Sequence, residues 1–147
     1  MKGIGARELH HVAVAVPSLD EAVPFYRDLL GYRVDEPRAI ADQHVRVAFA
    51  TREGSRVELL EPIDAQSGVA RFLADRGRPT LHHLCFVVDD LAGTLARLAA
   101  EGVELIDHAP RRGVEGLVAF MHPRAANGVL VELIDRASLT TAPKTHD

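Results

Sequence analysis

The chain has one cysteine, Cys85, in 147 residues. An internal disulfide framework is therefore excluded, and a lone thiol suits a reducing compartment. Positive charge is also short, with 17 lysines and arginines against 21 aspartates and glutamates and a net charge of −4. That balance argues against nucleic acid and anionic membrane surfaces as partners. No apolar run approaches the roughly 20 residues of a membrane span, and the first residues lack the charged-then-apolar pattern of a signal peptide. Neither a phosphate-cradling glycine loop nor a serine–histidine nucleophile pattern is visible. The expectation is a cytoplasmic protein with no nucleic-acid or membrane partner. Its 47% apolar residues suffice for one core.

What the chain does contain is a repeat. Leu9-His10-His11-Val12 returns as Leu81-His82-His83-Leu84, and Val47-Ala48-Phe49 as Val118-Ala119-Phe120. Val57-Glu58-Leu59-Leu60 returns as Val131-Glu132-Leu133-Ile134. A repeat of this length is a whole supersecondary module rather than a solenoid unit, so two copies are expected to pack as a pseudo-twofold pair.

Local signals give each copy the order βαβββ. In the first, residues 9–16 alternate and are rich in valine, which predicts a strand. Ser18-Leu19-Asp20-Glu21 has the form of a capping box and opens a helix to about Leu30, closed by Gly31. Pro24 removes a backbone donor inside that helix and predicts a kink. Strands are expected near 32–36, 44–51 and 55–61, with a turn at Glu53-Gly54 between the last two. The second copy predicts a strand at 82–88, a helix from Asp90 to Glu101 ended by Gly102, and strands near 103–107, 117–122 and 129–134. Module one thus spans 8–61 and module two 81–136. The connection 62–80 holds a short helix near Val69–Asp75, and a flexible tail covers 137–147.

Alternation then decides which side chains share a face. Val12, Val14 and Val16 should pack beneath the helix, which leaves His11 with Ala13 and Ala15 on the other face. In the second copy Leu84, Phe86 and Val88 form the bulky face, and His83 shares the opposite one with Cys85 and Val87. His10 and His82 then point toward the helix layer or its edge. Glu58 and Glu132 each lie in the middle of an apolar strand, and burying a lone carboxylate costs several kcal/mol even after relaxation.

Taken singly, a strand histidine is more often a satisfied half-buried residue than a ligand, and a strand glutamate more often faces water. Those readings give no reason for the same pair to occur in both copies. One imidazole and one carboxylate from each module can instead converge on one divalent metal. Cys85, without a second thiol, reads as a small core residue. His44, His108 and His122 read as loop or strand-end residues, and Arg111, Arg112 and Arg124 as solvated surface.

At these residues the chain resembles the vicinal-oxygen-chelate superfamily, and within it the methylmalonyl-CoA epimerase family. The matching segments are LHHVAVAVPSLDEAVPFYRDLLGYRV, VELLEPIDAQSGVARFLADRG, LHHLCFVVDDL and MHPRAANGVLVELID, which together cover most of Leu9 to Arg136. The resemblance implies an α+β fold, with two βαβββ modules in a pseudo-twofold arrangement forming a cupped mixed sheet around a metal site. It implies His11, Glu58, His83 and Glu132 as ligands of one divalent metal ion per chain, with Co, Mn, Zn, Ni and Fe all suited to that set. It further implies an isomerase that exchanges the (R) and (S) forms of methylmalonyl-CoA, hence an acyl-CoA partner, and a homodimer. Glu132 and Glu58 are the candidate proton-transfer groups. Val47 stands where several bacterial members carry a glutamate proposed as the base, and residues 113–118 are one residue shorter than the family pattern. The alternatives are another metalloenzyme of the superfamily, such as a glyoxalase-type lyase or a dioxygenase, and a metal-free small-molecule binding protein.

Overall fold

The computed structural model describes residues 2–140 and has an α+β fold. The chain divides into two compact units. One spans His11–His83, and the other joins the residues up to His10 to those from Leu84 onward.

In the His11–His83 unit, β1 (Leu9–Ala15) alternates as its sequence requires. Ala13 and Ala15 are fully buried on the face of His11, while Val14 packs with Val16, Leu19 and Leu59 beneath the helix. Ser18 accepts the Glu21 amide at 3.3 Å and opens α1 (Leu19–Pro24). The helix expected to run to Leu30 is interrupted at Pro24, whose ring cannot donate and crowds the preceding turn. The backbone continues as a single π-helical turn over Phe25–Leu29 and stops at Gly31, whose φ of +77° suits glycine.

The strands that follow differ from expectation in one place. β2 (Arg33–Val34) is short, and an additional β3 (Arg38–Ile40) and a 3-10 turn (Ala41–Gln43) precede β4 (Val45–Arg52). His44 ends that turn in the left-handed region at φ 55°, a conformation that nothing in a histidine announces. β4 and β5 (Ser55–Pro62) pair antiparallel across Glu53-Gly54, both at positive φ, which is the geometry of a tight two-residue hairpin. The strand order is β2-β4-β5-β1, with β3 also on β4 and β1 parallel to β5. After β5, α2 (Gly68–Arg76) runs from the Ser67 cap to Gly77.

The other unit repeats the pattern. β6 (Thr80–Val88) leads to α3 (Leu91–Ala100), capped by Asp90, then β7 (Arg111–Arg112), β8 (Leu117–Met121) and β9 (Val131–Asp135). The order is β6-β9-β8-β7, with β6 and β9 parallel. Leu91, Leu95 and Leu98 of α3 pack on Val88, Leu105, Ala119 and Leu133. On the opposite side of the strands Cys85, Val87, Val118 and Ile134 form a second buried cluster.

One expectation fails here. The strand near 103–107 is reduced to one bridge, Leu105 to Met121. Ile106 and Asp107 both donate their amides to the Phe120 carbonyl, so a regular ladder cannot continue. Of the expected flexible tail, 137–147, the residues up to Thr140 are described. Arg136–Ser138 form a 3-10 turn, Ser138 Oγ accepts the Leu117 amide at 2.8 Å, and Leu139 packs on the Cys85 cluster. The rest of that tail, residues 141–147, lies outside the described residues. Among the described residues no helix is long and apolar enough to cross a membrane.

Both units share a wiring diagram. The amide at the start of each helix is held by an acid at the end of the last strand, Leu19 by Glu61 at 2.6 Å and Leu91 by Asp135 at 2.9 Å. An aspartate carboxylate also accepts a strand amide in each, Asp35 from Phe49 and Asp107 from Phe120, both at 2.8 Å.

Candidate metal centre

Register places the site residues of the His11–His83 unit on one face. Glu58 on β5 lies opposite Ala13 of β1 and Phe49 of β4, and Leu60 lies opposite Ala15 and Val47. The face therefore carries His11, Glu58, Phe49 and Val47 among small or aliphatic neighbours. His11, Glu58 and His83 are 4%, 6% and 4% exposed, so all three are withdrawn from water. The Phe49 ring meets the His11 ring edge-on at 5.6 Å and limits its tilt.

The three polar side chains meet at their tips. His11 Nε2 and His83 Nε2 are 3.2 Å apart, and Glu58 Oε1 is 3.5 Å from each. This is a near-equilateral triangle of donors. Atoms bound to one first-row cation at about 2.0–2.2 Å sit roughly 3–3.5 Å from one another, so the triangle fits such an ion. The donor chemistry fits as well, since two neutral imidazoles and one carboxylate suit first-row divalent metals.

Glu132, the fourth expected ligand, belongs to the other unit. It is 8% exposed on β9, with Cys85 and Phe120 as its register partners. That environment mirrors Glu58 between Ala13 and Phe49, strand for strand. His11, Glu58 and His83 are thus brought together within one unit, while Glu132 holds the corresponding place in the repeat.

The remaining candidates are surface groups. His44 Nδ1 bonds Asp64 Oδ2 at 3.1 Å, which holds the Asp64 carboxyl below its ordinary range. Arg124 pairs with Glu104 at 2.7 Å and lowers that carboxyl likewise. Arg111 bonds Asp107 and lies over the Phe120 ring, and His122 Nδ1 accepts the Arg124 amide. Cys85 is fully buried, as a core residue should be.

Sequence reading missed two participants. Phe49 was visible in the repeated Val-Ala-Phe triplet, and only register shows each phenylalanine opposite a glutamate. Alternation assigns His82 to the helix layer or its edge. Its ring does meet Phe72 of α2 at 4.7 Å, but its Nδ1 also bonds Nδ1 of His83 at 2.8 Å.

The fold is that of the glyoxalase type, and the buried histidine and glutamate side chains form a cluster that could hold a metal ion. Residues 10–121 match the Glyoxalase/Bleomycin resistance protein/Dioxygenase superfamily, and the chain belongs to that superfamily. The members it resembles are methylmalonyl-CoA epimerases, which are isomerases. It is 38% identical over 134 residues to the mitochondrial methylmalonyl-CoA epimerase of Dictyostelium discoideum, covering 90% of this chain and 81% of that protein. The crystal structure of methylmalonyl-CoA epimerase from Mycobacterium tuberculosis superposes with a TM-score of 0.83 at 34% identity, covering 98% of this chain and 94% of that one. A variant of the Streptomyces coelicolor enzyme, solved with 2-nitronate-propionyl-CoA, gives 0.81 at 32% identity, covering 92% and 99%.

Proposed function

We propose that this chain is a metal-dependent epimerase that interconverts (R)- and (S)-methylmalonyl-CoA. The observation that carries the proposal is the buried triangle of His11, His83 and Glu58. The Streptomyces coelicolor relative, bound to an acyl-CoA analogue, supports the substrate class.

The residues that would hold the metal are His11, His83 and Glu58, with Glu132 enlisted by its correspondence to Glu58 in the repeat. Bound there, a divalent cation would act as a Lewis acid, stabilising negative charge on the thioester and carboxylate oxygens of the substrate. The protein must then move a proton. Inversion at the α-carbon requires removal on one face and return on the other, hence two acid/base groups or one mobile one. Glu58 is the carboxylate that β1, β4 and β5 offer on the site face, and Glu132 is its counterpart. Val47, 1% exposed on that face, cannot take a proton. It and Phe49 provide apolar walls that exclude water from the reacting carbon.

The test is exchange of the α-proton of methylmalonyl-CoA in heavy water by the metal-loaded protein. Exchange without hydrolysis or oxidation is the expected result, and its absence overturns the assignment. Two histidines and one carboxylate are also the donor set of certain iron oxygenases. Oxygen consumption in place of exchange would favour that reading. A single cysteine, buried in the core, is in keeping with a cytoplasmic setting.

A further inference from the structure

We propose that His82 is a positioning residue for the metal centre, acting through the tautomer and ring orientation of His83. The inference rests on the metal-binding reading above. An imidazole that gives Nε2 to a cation must carry its proton on Nδ1, and the partner of that N–H fixes which tautomer is present. His83 Nε2 faces His11 and Glu58, and its Nδ1 lies 2.8 Å from His82 Nδ1. The roles follow from the metal reading together with this geometry. With its Nε2 lone pair given to a cation, His83 would donate its Nδ1 proton to His82 Nδ1.

His82 is itself held in place. Its ring meets Phe72 edge-on at 4.7 Å, and the Arg76 guanidinium lies 4.8 Å from the centre of the Phe72 ring. Both residues come from α2, nine residues that begin at the Ser67 cap and end at Gly77. An arginine, a phenylalanine and two histidines thus form a chain of contacts from the surface of α2 to a ligand atom. The arrangement gives the first histidine of the Leu81-His82-His83 motif a use that its burial alone does not explain. It also links α2, which lies outside the repeated modules, to the site.

The experiment compares wild type with His82→Leu and His82→Asn. Asparagine can place its amide oxygen close to the position of Nδ1 and accept the same proton, whereas leucine cannot. Each protein is stripped with a chelator, checked for an intact fold by circular dichroism, and titrated with Co(II) against a competing chelator. Loss of an outer partner of this kind lowers metal affinity by about 10–100-fold. That loss is expected for His82→Leu, with a changed Co(II) absorption spectrum, and most of it should return in His82→Asn. Wild-type affinity in His82→Leu, or equal weakening in both variants, overturns the hydrogen-bonding role. Equal weakening would mark His82 as packing for α2. Failure of the wild type to bind Co(II) would instead bring down the metal reading, and this inference with it.

Discussion

Glu61 and Leu19 lie 42 positions apart in sequence, yet the Glu61 carboxylate accepts the Leu19 amide at 2.6 Å. The first turn of a helix has amides that no earlier carbonyl can satisfy, and a carboxylate there also complements the helix dipole. Here the acid comes from the end of β5, so one hydrogen bond ties the helix layer to the strand that carries Glu58. Replacing Glu61 with alanine leaves a half-buried amide without that acceptor. We expect a loss of about 1.5–3 kcal/mol, the usual worth of a hydrogen bond to a charged group. Urea unfolding checks it, with a lower midpoint and an unchanged slope. The accompanying ion pair to Arg46 is partly exposed and adds little.

His11 and His83 should be indispensable for metal binding. Each contributes one corner of the donor triangle, and alanine at either position removes that donor. Elemental analysis of purified His11→Ala and His83→Ala should find the metal lost along with activity. Full metal content in both would remove these histidines from the site.

Stripping the metal should destabilise the protein. Glu58 would then remain buried without a cation to balance its charge, and a ligand that binds only the folded state adds stability by mass action. Thermal melting of a demonstrably metal-loaded sample should shift downward after chelation. An unchanged midpoint counts against a buried site.

Glu132→Gln separates proton transfer from metal binding. Glutamine keeps an oxygen that can face a cation but gives up the basic carboxylate. Metal should largely remain, while α-proton exchange falls by about two orders of magnitude or more. Undiminished exchange in the loaded variant would place the base elsewhere.

We expect a homodimer. Phe25, Leu29 and Leu30, in and just after the π-helical turn, are 50%, 72% and 46% exposed, which is unusual for large apolar side chains so close together. Sedimentation equilibrium at micromolar concentration should return twice the mass of one chain, and a single-chain mass would refute the expectation.

Much of this fold, and the placement of the candidate site residues, was legible in the sequence because it is encoded locally. Alternation placed His11 opposite the valine face, and the structure leaves that histidine with Ala13 and Ala15 as read. The capping box at Ser18 and the hairpin at Glu53-Gly54 are likewise short-range chemistry. What escaped depends on contacts distant in sequence. Asp135 reads as a strand-end acid until its bond to Leu91, 44 positions away, is seen. The 3-10 turn before β4 ends on His44 in a left-handed conformation that no glycine marks. The strand near 103–107 gave way because two successive amides compete for one carbonyl. His82 escaped for a different reason. Period-two alternation assigns side chains to faces, and it cannot register an imidazole that turns back toward its neighbour.

The full burial of Cys85 has a practical consequence. A thiol must reach solvent, and reach it as thiolate, before it can be alkylated. Beneath Val87, Val118 and Ile134 it is hidden until the strands around it separate. As the single cysteine of the chain, it is a built-in clock for that separation. Its labelling rate in water reports how often the β6–β9 region opens, under conditions where every bulk signal still reads as native.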